Sequence, residues 1–376
     1  MNVCIDAQAA VGQRAGVGRY TARLIRGLAA EAGADRLSAF CFDFRGRGSA
    51  LASPHVQLRP CRWPGRLARF GWDTLGWPTF DRYAGPADVY HFPNFVVPPL
   101  ARGRAVVTVH DVSFVRFPQF AEARNLRYLN ARIRASIDRA DAIITDSEFS
   151  AREIADALDT PRERIAAIHL GIGEEFAPPS PERRASVLKR LGLDGPYLLT
   201  VGTVEPRKNL PFLVDVFERL GGFAGALVIA GMPGWKTGPI LERIDRSRRR
   251  EDIRYLRFVD DADLPALYAG AAVFVLTSFY EGFGFPPLEA MACGAPVVSS
   301  DGGSLPEVLG SAARIVPGFD AGDWAAEIER VLADPELRKA MREAGRRHAA
   351  RFTWAETARR TWDVYRRLGG RESGSS

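Results

Sequence analysis

Two carboxylates eight residues apart, Glu281 and Glu289, close the ends of the string Glu281-Gly282-Phe283-Gly284-Phe285-Pro286-Pro287-Leu288-Glu289. Two prolines in a row are poor in a helix interior but acceptable in its first turn, so a helix is predicted to begin near Pro286. Glu281 then stays in the loop ahead of the helix. Glu289 falls about one turn inside, where the positive end of the helix dipole favours a carboxylate. Ala272 to Leu276 just upstream reads as a buried parallel strand, so both acids border one spot beyond a strand's carboxyl end, where open α/β sheets bind ligands. Paired acids there make a polar-ligand site and by themselves leave several chemistries open.

A second charged feature follows another strand. In Gly202-Thr203-Val204-Glu205-Pro206-Arg207-Lys208-Asn209-Leu210 a helix is expected to start around Asn209. Adjacent cations at a strand-to-helix junction suit a diphosphate, because strand ends and helix N-termini already favour anions. Lysine occurs only at Lys189, Lys208, Lys236 and Lys339, which makes Lys208 stand out. Solvated surface charge is the ordinary alternative, but it does not explain why the pair shares a sheet edge with the glutamates.

Near the start, Ala15-Gly16-Val17-Gly18-Arg19-Tyr20 leads into an amphipathic helix carrying Tyr20, Leu24, Ile25 and Leu28 on one face. A Gly16-x-Gly18 turn at a helix N-terminus can bring backbone N–H groups to a phosphate. Thr21 stands where a dinucleotide fingerprint has its third glycine, and a plain tight turn remains the more ordinary reading. His110-Asp111 follows the strand Ala105 to Val109 at its carboxyl end, beside the apolar loop Phe114 to Phe120. A histidine leaving a buried strand at a pocket edge is a functional candidate, weighed equally against a core hydrogen bond. Asp261-Ala262-Asp263 resembles a metal-holding Asp-x-Asp, but it precedes a helix start, so N-capping is expected and no metal site is predicted.

These residues need a scaffold of strands and helices. Strand-like runs at Asn2 to Asp6, Leu37 to Phe44, Asp88 to Phe92, Ala105 to His110, Ala142 to Thr145 and Ile165 to Ile168 alternate with helical patterns. A second set lies near Tyr197 to Val201, Ala226 to Ala230, Ile253 to Phe258, Ala272 to Leu276, Pro296 to Ser299 and Ala313 to Val316. Such alternation argues for two parallel sheets clothed in helices, an α/β protein. The Pro-rich stretch Glu175 to Pro181 is the expected linker. The expected domains are 1–174, joined by a returning helix at 354–370, and 182–353. The polar tail from Arg371 is expected to fray.

A chain of 376 residues exceeds the size at which single cores usually split. Its 46% hydrophobic and 26% charged residues are ordinary for a globular protein, and no stretch approaches a membrane span or a cleaved leader, so a cytosolic location is expected. Cys4, Cys41, Cys61 and Cys293 have no metal-ligand spacing and read as reduced structural thiols. The net charge of +6 comes almost wholly from arginine and favours anionic partners without naming them. Arginines and aromatics interleave from Arg59 to Trp77. Nucleic acid and an anionic membrane surface are both readings of that segment, against a solvated face with a few buried tryptophans.

With these residues collected, the chain resembles the retaining glycosyltransferases of family 4, the group-1 type with the GT-B fold. The resemblance rests on the Gly16-Gly18 turn, His110-Asp111, Thr145-Asp146-Ser147-Glu148-Phe149-Ser150, Val201 to Asn209 and, above all, Ser278 to Met291 followed by Gly294-Ala295-Pro296-Val297-Val298. It is closest to bacterial mannosyltransferases of surface-polysaccharide assembly. It implies two Rossmann-like domains facing each other across a cleft, the first for the acceptor and the second for a nucleotide-sugar. It also implies hexose transfer, mannose from GDP-mannose first and UDP-hexoses next, to a glycan or polyprenyl-linked acceptor. Glu281 would hold donor-sugar hydroxyls with backbone N–H groups around Gly282, Phe283 and Gly284, and Glu289 would take the ribose. Arg207 and Lys208 would neutralise the diphosphate, the Gly16-Gly18 turn would approach it from the other domain, and His110 would orient the sugar. Many relatives carry an arginine where this chain has Thr203, which leaves the phosphate charge to Arg207 and Lys208.

The resemblance implies no cofactor, no metal and no nucleic-acid partner, and gives the Arg59 to Trp77 segment a role at the inner membrane face, where lipid-linked acceptors sit. The alternatives are a nucleotide-sugar epimerase, a non-catalytic binder and, more remotely, a glycoside hydrolase, which would leave Arg207, Lys208 and the glycine turn unused.

Overall fold

The computed structural model describes residues 1–12, 16–44, 46, 48, 51 and 53–370. Ala15 of the glycine turn and the polar tail lie outside the described residues. The chain forms two compact units. The first holds residues 1–116, 123–171 and the C-terminal segment from Thr353 on; the second holds Phe117–Glu122 and Ile172–Phe352.

The first unit is built on seven parallel strands among the described residues: β1 (Asn2–Asp6), β2 (Arg36–Phe42), β3 (Val56–Cys61), β4 (Val89–Phe92), β5 (Arg104–Thr108), β6 (Ala142–Thr145) and β7 (Ile165–Ala167). Their order is β3-β2-β1-β4-β5-β6-β7. Inner strands such as β4 and β5 are short apolar runs buried on both faces, as helices on each side of a parallel sheet require. β3 is the strand the sequence pattern does not announce. Its Val-Gln-Leu-Arg-Pro-Cys carries an arginine and a proline, which an edge strand tolerates because half of its ladder groups need no partner.

The helix Val17–Ala30 buries Tyr20, Leu24, Ile25 and Leu28 as its spacing predicts. It packs against the C-terminal helix Trp354–Gly369, whose Trp362 Nε1 donates to Leu28 O at 3.0 Å. That helix therefore belongs with the first sheet, although it follows the second in sequence.

The second unit has six parallel strands among the described residues: β8 (Tyr197–Val201), β9 (Ala226–Ala230), β10 (Ile253–Arg257), β11 (Val273–Leu276), β12 (Val297–Ser300) and β13 (Arg314–Val316). Their order is β10-β9-β8-β11-β12-β13. Leu198, Leu213, Phe217, Val275 and Trp324 share its buried core. Within the Pro-rich stretch, Pro181 opens the helix Pro181–Arg190, capped by Ser180 Oγ accepting from Arg183 N–H.

In each sheet the order reverses once, between β1 and β4 in the first and between β8 and β11 in the second. Loops leaving the carboxyl ends of the two strands at such a reversal diverge and open a crevice.

Candidate functional site

Arg207, Lys208 and Glu281 lie on the loops after β8 and β11, at the point of reversal. The loop after β8 turns through Pro206–Lys208, passes Asn209 in the left-handed region at φ 51°, and enters the helix Leu210–Arg219. The loop after β11 runs to Gly284 and enters the helix Phe285–Ala292, so the proline pair does mark the helix start. The two loops are stitched together. Phe279 N–H donates to Arg207 O at 2.9 Å, and Thr277 Oγ1 donates to Lys208 O at 3.0 Å.

Glu281 sits at the centre of a buried cluster. Arg207 Nη1 reaches its Oε2 at 2.7 Å, Lys208 Nζ reaches its Oε1, and Ser278 Oγ donates to Oε1 at 2.6 Å. Arg207 Nη2 turns the other way and donates to Glu205 Oε1 at 2.7 Å. Burial alone would raise the Glu281 carboxyl, but Arg207 and Lys208 overcome it and pull it from 4.5 to about 2. Two acids and two cations balance, so these four side chains carry no net charge.

The glycine-rich turn behind Glu281 is shaped by close backbone approach. Ser304 N–H donates to Glu281 O at 2.9 Å, and Ser304 Oγ reaches Phe283 O at 3.0 Å. A Cβ on Gly303, which has φ +71°, would lie 2.4 Å from Glu281 O, so only glycine lets this loop pass. Gly284 caps the helix with φ 113°. Glu289 lies about one turn inside that helix, is 3% exposed, and accepts from Tyr268 O–H at 3.0 Å.

Three features here escaped sequence reasoning. Glu205 is almost wholly buried, and its Oε2 has no hydrogen-bond partner among the described residues. Gly302-Gly303 looks like an ordinary loop until its contact with Glu281 is seen. Third, the apolar stretch expected beside His110 divides: Phe114 is buried in the first unit, whereas Phe117–Glu122 belongs to the second. There Phe120 stacks on Phe279 at 5.1 Å, Phe117 meets Tyr280 at 5.5 Å, and Trp235 Nε1 donates to Phe120 O. The two residues before Glu281 are thus held from outside by this strap.

In the first unit, Gly16 is the N-cap of the helix Val17–Ala30 with φ 56°, and Tyr20 N–H donates back to Gly16 O at 3.0 Å. Tyr20 sets its ring edge-on to His110, centroids 4.7 Å apart at 89°, so the glycine turn and His110 are linked through one side chain. His110 Nδ1 lies 2.8 Å from Asp146 Oδ2. Beside the reversal between β1 and β4 is a cavity of about 520 Å³ whose lining includes Asp6, Phe42, Trp72, Asn94, Arg132 and Arg139. Burial pushes the Asp6 carboxyl up to about 6, against the opposing backbone N–H of Gln8 and the charge of Arg69.

Asp263 does not cap the helix Leu264–Gly270 through its side chain; it pairs with Arg183 at 3.0 Å and Arg190 at 2.8 Å instead. Two arginines compete better for a carboxylate than a peptide N–H does. Among the described residues no group of three or more His, Cys, Asp or Glu is placed to hold a metal ion. The four cysteines are free thiols.

Two family models match, Glycosyltransferase Family 4 over residues 14–176 and Glycosyl transferases group 1 over residues 185–348. The O-antigen chain mannosyltransferase B of Escherichia coli is 38% identical over 285 residues, 74% of this chain and 74% of that protein. The serotype-specific mannosyltransferase WbdA of Escherichia coli is 32% identical over 277 residues; the match spans 70% of this chain but 34% of WbdA. Sucrose-phosphate synthase from Thermosynechococcus elongatus has the same fold, with a TM-score of 0.77 at 20% identity over 98% of this chain and 99% of that one. The two Rossmann-like sheets are of GT-B type, and the chain belongs to the family 4, group 1 glycosyltransferases.

Proposed function

We propose that this glycosyltransferase moves a hexose, mannose first, from a nucleoside diphosphate sugar to a glycan or lipid-linked glycan acceptor, without a metal ion. The observation that carries the reading is the buried Arg207–Lys208–Glu281 cluster at the reversal between β8 and β11. In this reading Glu281 holds donor-sugar hydroxyls with help from backbone N–H groups at Gly282, Phe283 and Gly284, and Glu289 holds the ribose. The Gly16-Gly18 turn serves the phosphates and His110 the sugar. The mannosyl preference is taken from the two mannosyltransferase relatives.

Charge balance gives the step its character. Since Arg207 and Lys208 are already matched by Glu205 and Glu281, the cluster presents no net positive charge to a diphosphate. Lys208 must exchange Glu281 for a phosphate oxygen, which frees a Glu281 oxygen for a sugar hydroxyl. The N-terminus of the helix Leu210–Arg219 adds its dipole. As the anomeric C–O bond breaks, its electron pair goes to the leaving diphosphate, where these groups stabilise the growing charge. The acceptor oxygen bonds to the same face of the carbon, and its proton passes to the departing phosphate oxygen. The cavity in the first unit, with Trp72 and Phe42 as apolar walls and Asp6 and Arg132 as polar groups, suits an acceptor sugar.

The test is transfer from labelled GDP-mannose, against UDP-hexoses, in the presence of a chelator, with Glu289→Ala and Lys208→Ala alongside. Product with retained anomeric configuration is expected. Epimerised donor, hydrolysis alone, or binding without product would overturn the reading, as would a covalent sugar adduct on Glu281.

The lipid-linked acceptor draws support from the Arg59 to Trp77 segment. The helix Gly65–Thr74 buries only Ala68, while Trp63, Leu67, Phe70, Leu75 and Trp77 are 51–76% exposed beside exposed Arg62 and Arg66. Of its tryptophans only Trp72 packs inward, against Phe42, Phe80 and Tyr83. Apolar side chains facing outward with arginines between them suit the headgroup region of an anionic bilayer at its cytoplasmic face. No helix among the described residues is long and apolar enough to cross a membrane. Co-sedimentation with anionic vesicles at low salt, lost at high salt and in Trp63→Ala/Phe70→Ala, is expected; equal recovery of the variant would dismiss this surface.

A further inference from the structure

Three neighbouring strands converge on one imidazole. Val109 and His110 continue β5, and Asp146 follows β6 directly, with Val109 N–H donating to Ile144 O at 2.9 Å to keep the two strand ends level. Pro93 follows β4 on the other side. His110 Nδ1 faces Asp146 Oδ2 at 2.8 Å, and its Nε2 faces Pro93 O at 3.3 Å. A carboxylate and a peptide carbonyl only accept, and neutral imidazole has one N–H to give, so donation to both partners calls for two N–H groups.

We infer that Asp146 is a positioning residue that holds His110 as an imidazolium, making it a fixed cation rather than a neutral base or donor. The inference rests on the reading that His110 acts on the donor sugar; it adds the charge His110 brings and the residue that sets it. On that reading, a positive group acting on the donor favours departure of its negatively charged leaving group.

The acids facing the imidazole outweigh what opposes its charge. Burial disfavours the charge, but Asp146, in contact and buried at 4% exposure, outweighs it and His110 is raised above the ordinary histidine value, with Asp111 on its own loop adding to the effect. Tyr20 from the helix Val17–Ala30 and Phe95 after β4 pack their rings against it. His91 on β4 stays neutral, driven down to about 3 by burial and then by His110, and spends both ring nitrogens on Tyr365 O–H at 2.6 Å and Thr108 Oγ1 at 2.8 Å. His169 acts on Asp146 from beyond β7. Burial raises the Asp146 carboxyl above the ordinary aspartate value against the pull of His110, and its Oδ1 has no hydrogen-bond partner among the described residues, so the ion pair carries the burden of keeping this carboxylate charged.

The test uses the full chain with 15N-labelled histidine, the His110 signal assigned by its loss in His110→Gln. In the wild type His110 is expected to titrate above an ordinary histidine, and in Asp146→Asn below it, while the neutral His91 signal stays in place and reports that the fold is intact. Activity follows: kcat of Asp146→Asn is expected to fall about 10²-fold with the donor KM little changed, and Asp146→Glu, which keeps the charge, to recover part of it. A wild-type His110 that titrates below the ordinary value overturns the inference without any variant being needed. So does an unchanged titration in Asp146→Asn. If the titration moves as expected and kcat does not, the fault lies in the reading of His110 as acting on the sugar.

Discussion

Both sheets place ionised side chains beyond their strand ends, and they handle the charge in opposite ways. Beyond β8 and β11, two acids and two cations interlock, and Glu281 is so well paired that its carboxyl stays ionised down to about 2. Beyond β5 and β6, one acid meets one histidine, and the pair turns on a proton that His110 holds to above the ordinary histidine value. The cluster is therefore a charge arrangement that holds its ionisation across the neutral range, whereas the dyad answers to pH. Each can be broken separately.

The largest effect is expected from the cluster. Lys208→Ala removes the group proposed to exchange Glu281 for phosphate, and a loss of about 10²–10³ in kcat/KM is expected, the cost of deleting one preorganised stabiliser of transition-state charge. Glu281→Gln should match it within an order of magnitude, because the freed cations lose the partner that aims them. Steady-state kinetics with GDP-mannose settle this; a variant of either kind within threefold of wild type would dissolve the cluster's claim to the reaction.

The second contrast is in stability against pH. A carboxyl lowered from 4.5 to about 2 contributes stability that is complete above about 4.5 and is lost as pH falls through about 2. Linkage puts this contribution at about 3 kcal/mol. His110 runs the other way: its value is raised on folding, so its contribution is complete below the ordinary histidine value and is lost as pH rises through the folded one. Urea unfolding should show Glu281→Gln losing much of the acid-side slope and Asp146→Asn losing the alkaline one. An exchange of those two phenotypes would mean that the charges have been assigned to the wrong groups.

The difference between the regions also decided what was legible in the sequence. In the cluster, Glu281, Arg207 and Lys208 stand beside helix starts marked by Pro286-Pro287 and Asn209, so local rules place them on one sheet edge. The dyad joins residues 36 positions apart, and only the adjacency of β5 and β6 brings them together. Asp146 could be quoted as part of a motif, but no spacing rule pairs it with His110. Strands of continuous Val, Ile and Leu were readable, while β3 was hidden by the arginine and proline an edge permits. The strap Phe117–Glu122 was readable as apolar but not as belonging to the second unit, because its partners Trp235, Phe279 and Tyr280 lie more than a hundred residues away.

Glu205 offers a finer cut within the cluster. Its carboxylate takes Arg207 Nη2 at 2.7 Å, so Arg207 is held at both ends of its guanidinium, by Glu205 and by Glu281. Glu205→Gln keeps the shape and an acceptor oxygen but removes the charge, and about a tenfold loss in kcat is expected, in line with the worth of one charge-assisted hydrogen bond. It also leaves one positive charge unmatched, so the KM for the donor should fall rather than rise. A raised KM would show that Glu205 shapes the site and does not balance its charge.

The smallest effect probes how the cluster is braced. Phe120 stacks on Phe279 with its planes 15° apart, and its carbonyl accepts from the Trp235 indole. Trp235→Phe keeps an aromatic ring and removes the N–H, so about 1 kcal/mol of stability should go, the net value of one neutral hydrogen bond. The strap packs on Phe279 and Tyr280, the two residues before Glu281, so kcat should stay within about twofold. The dyad lies in the other unit, and its titration should not move at all. If Trp235→Phe costs activity in proportion to Lys208→Ala, the strap is part of the charge machinery, and the division between a braced cluster and a proton-sensitive dyad would need to be redrawn around Phe279 and Tyr280.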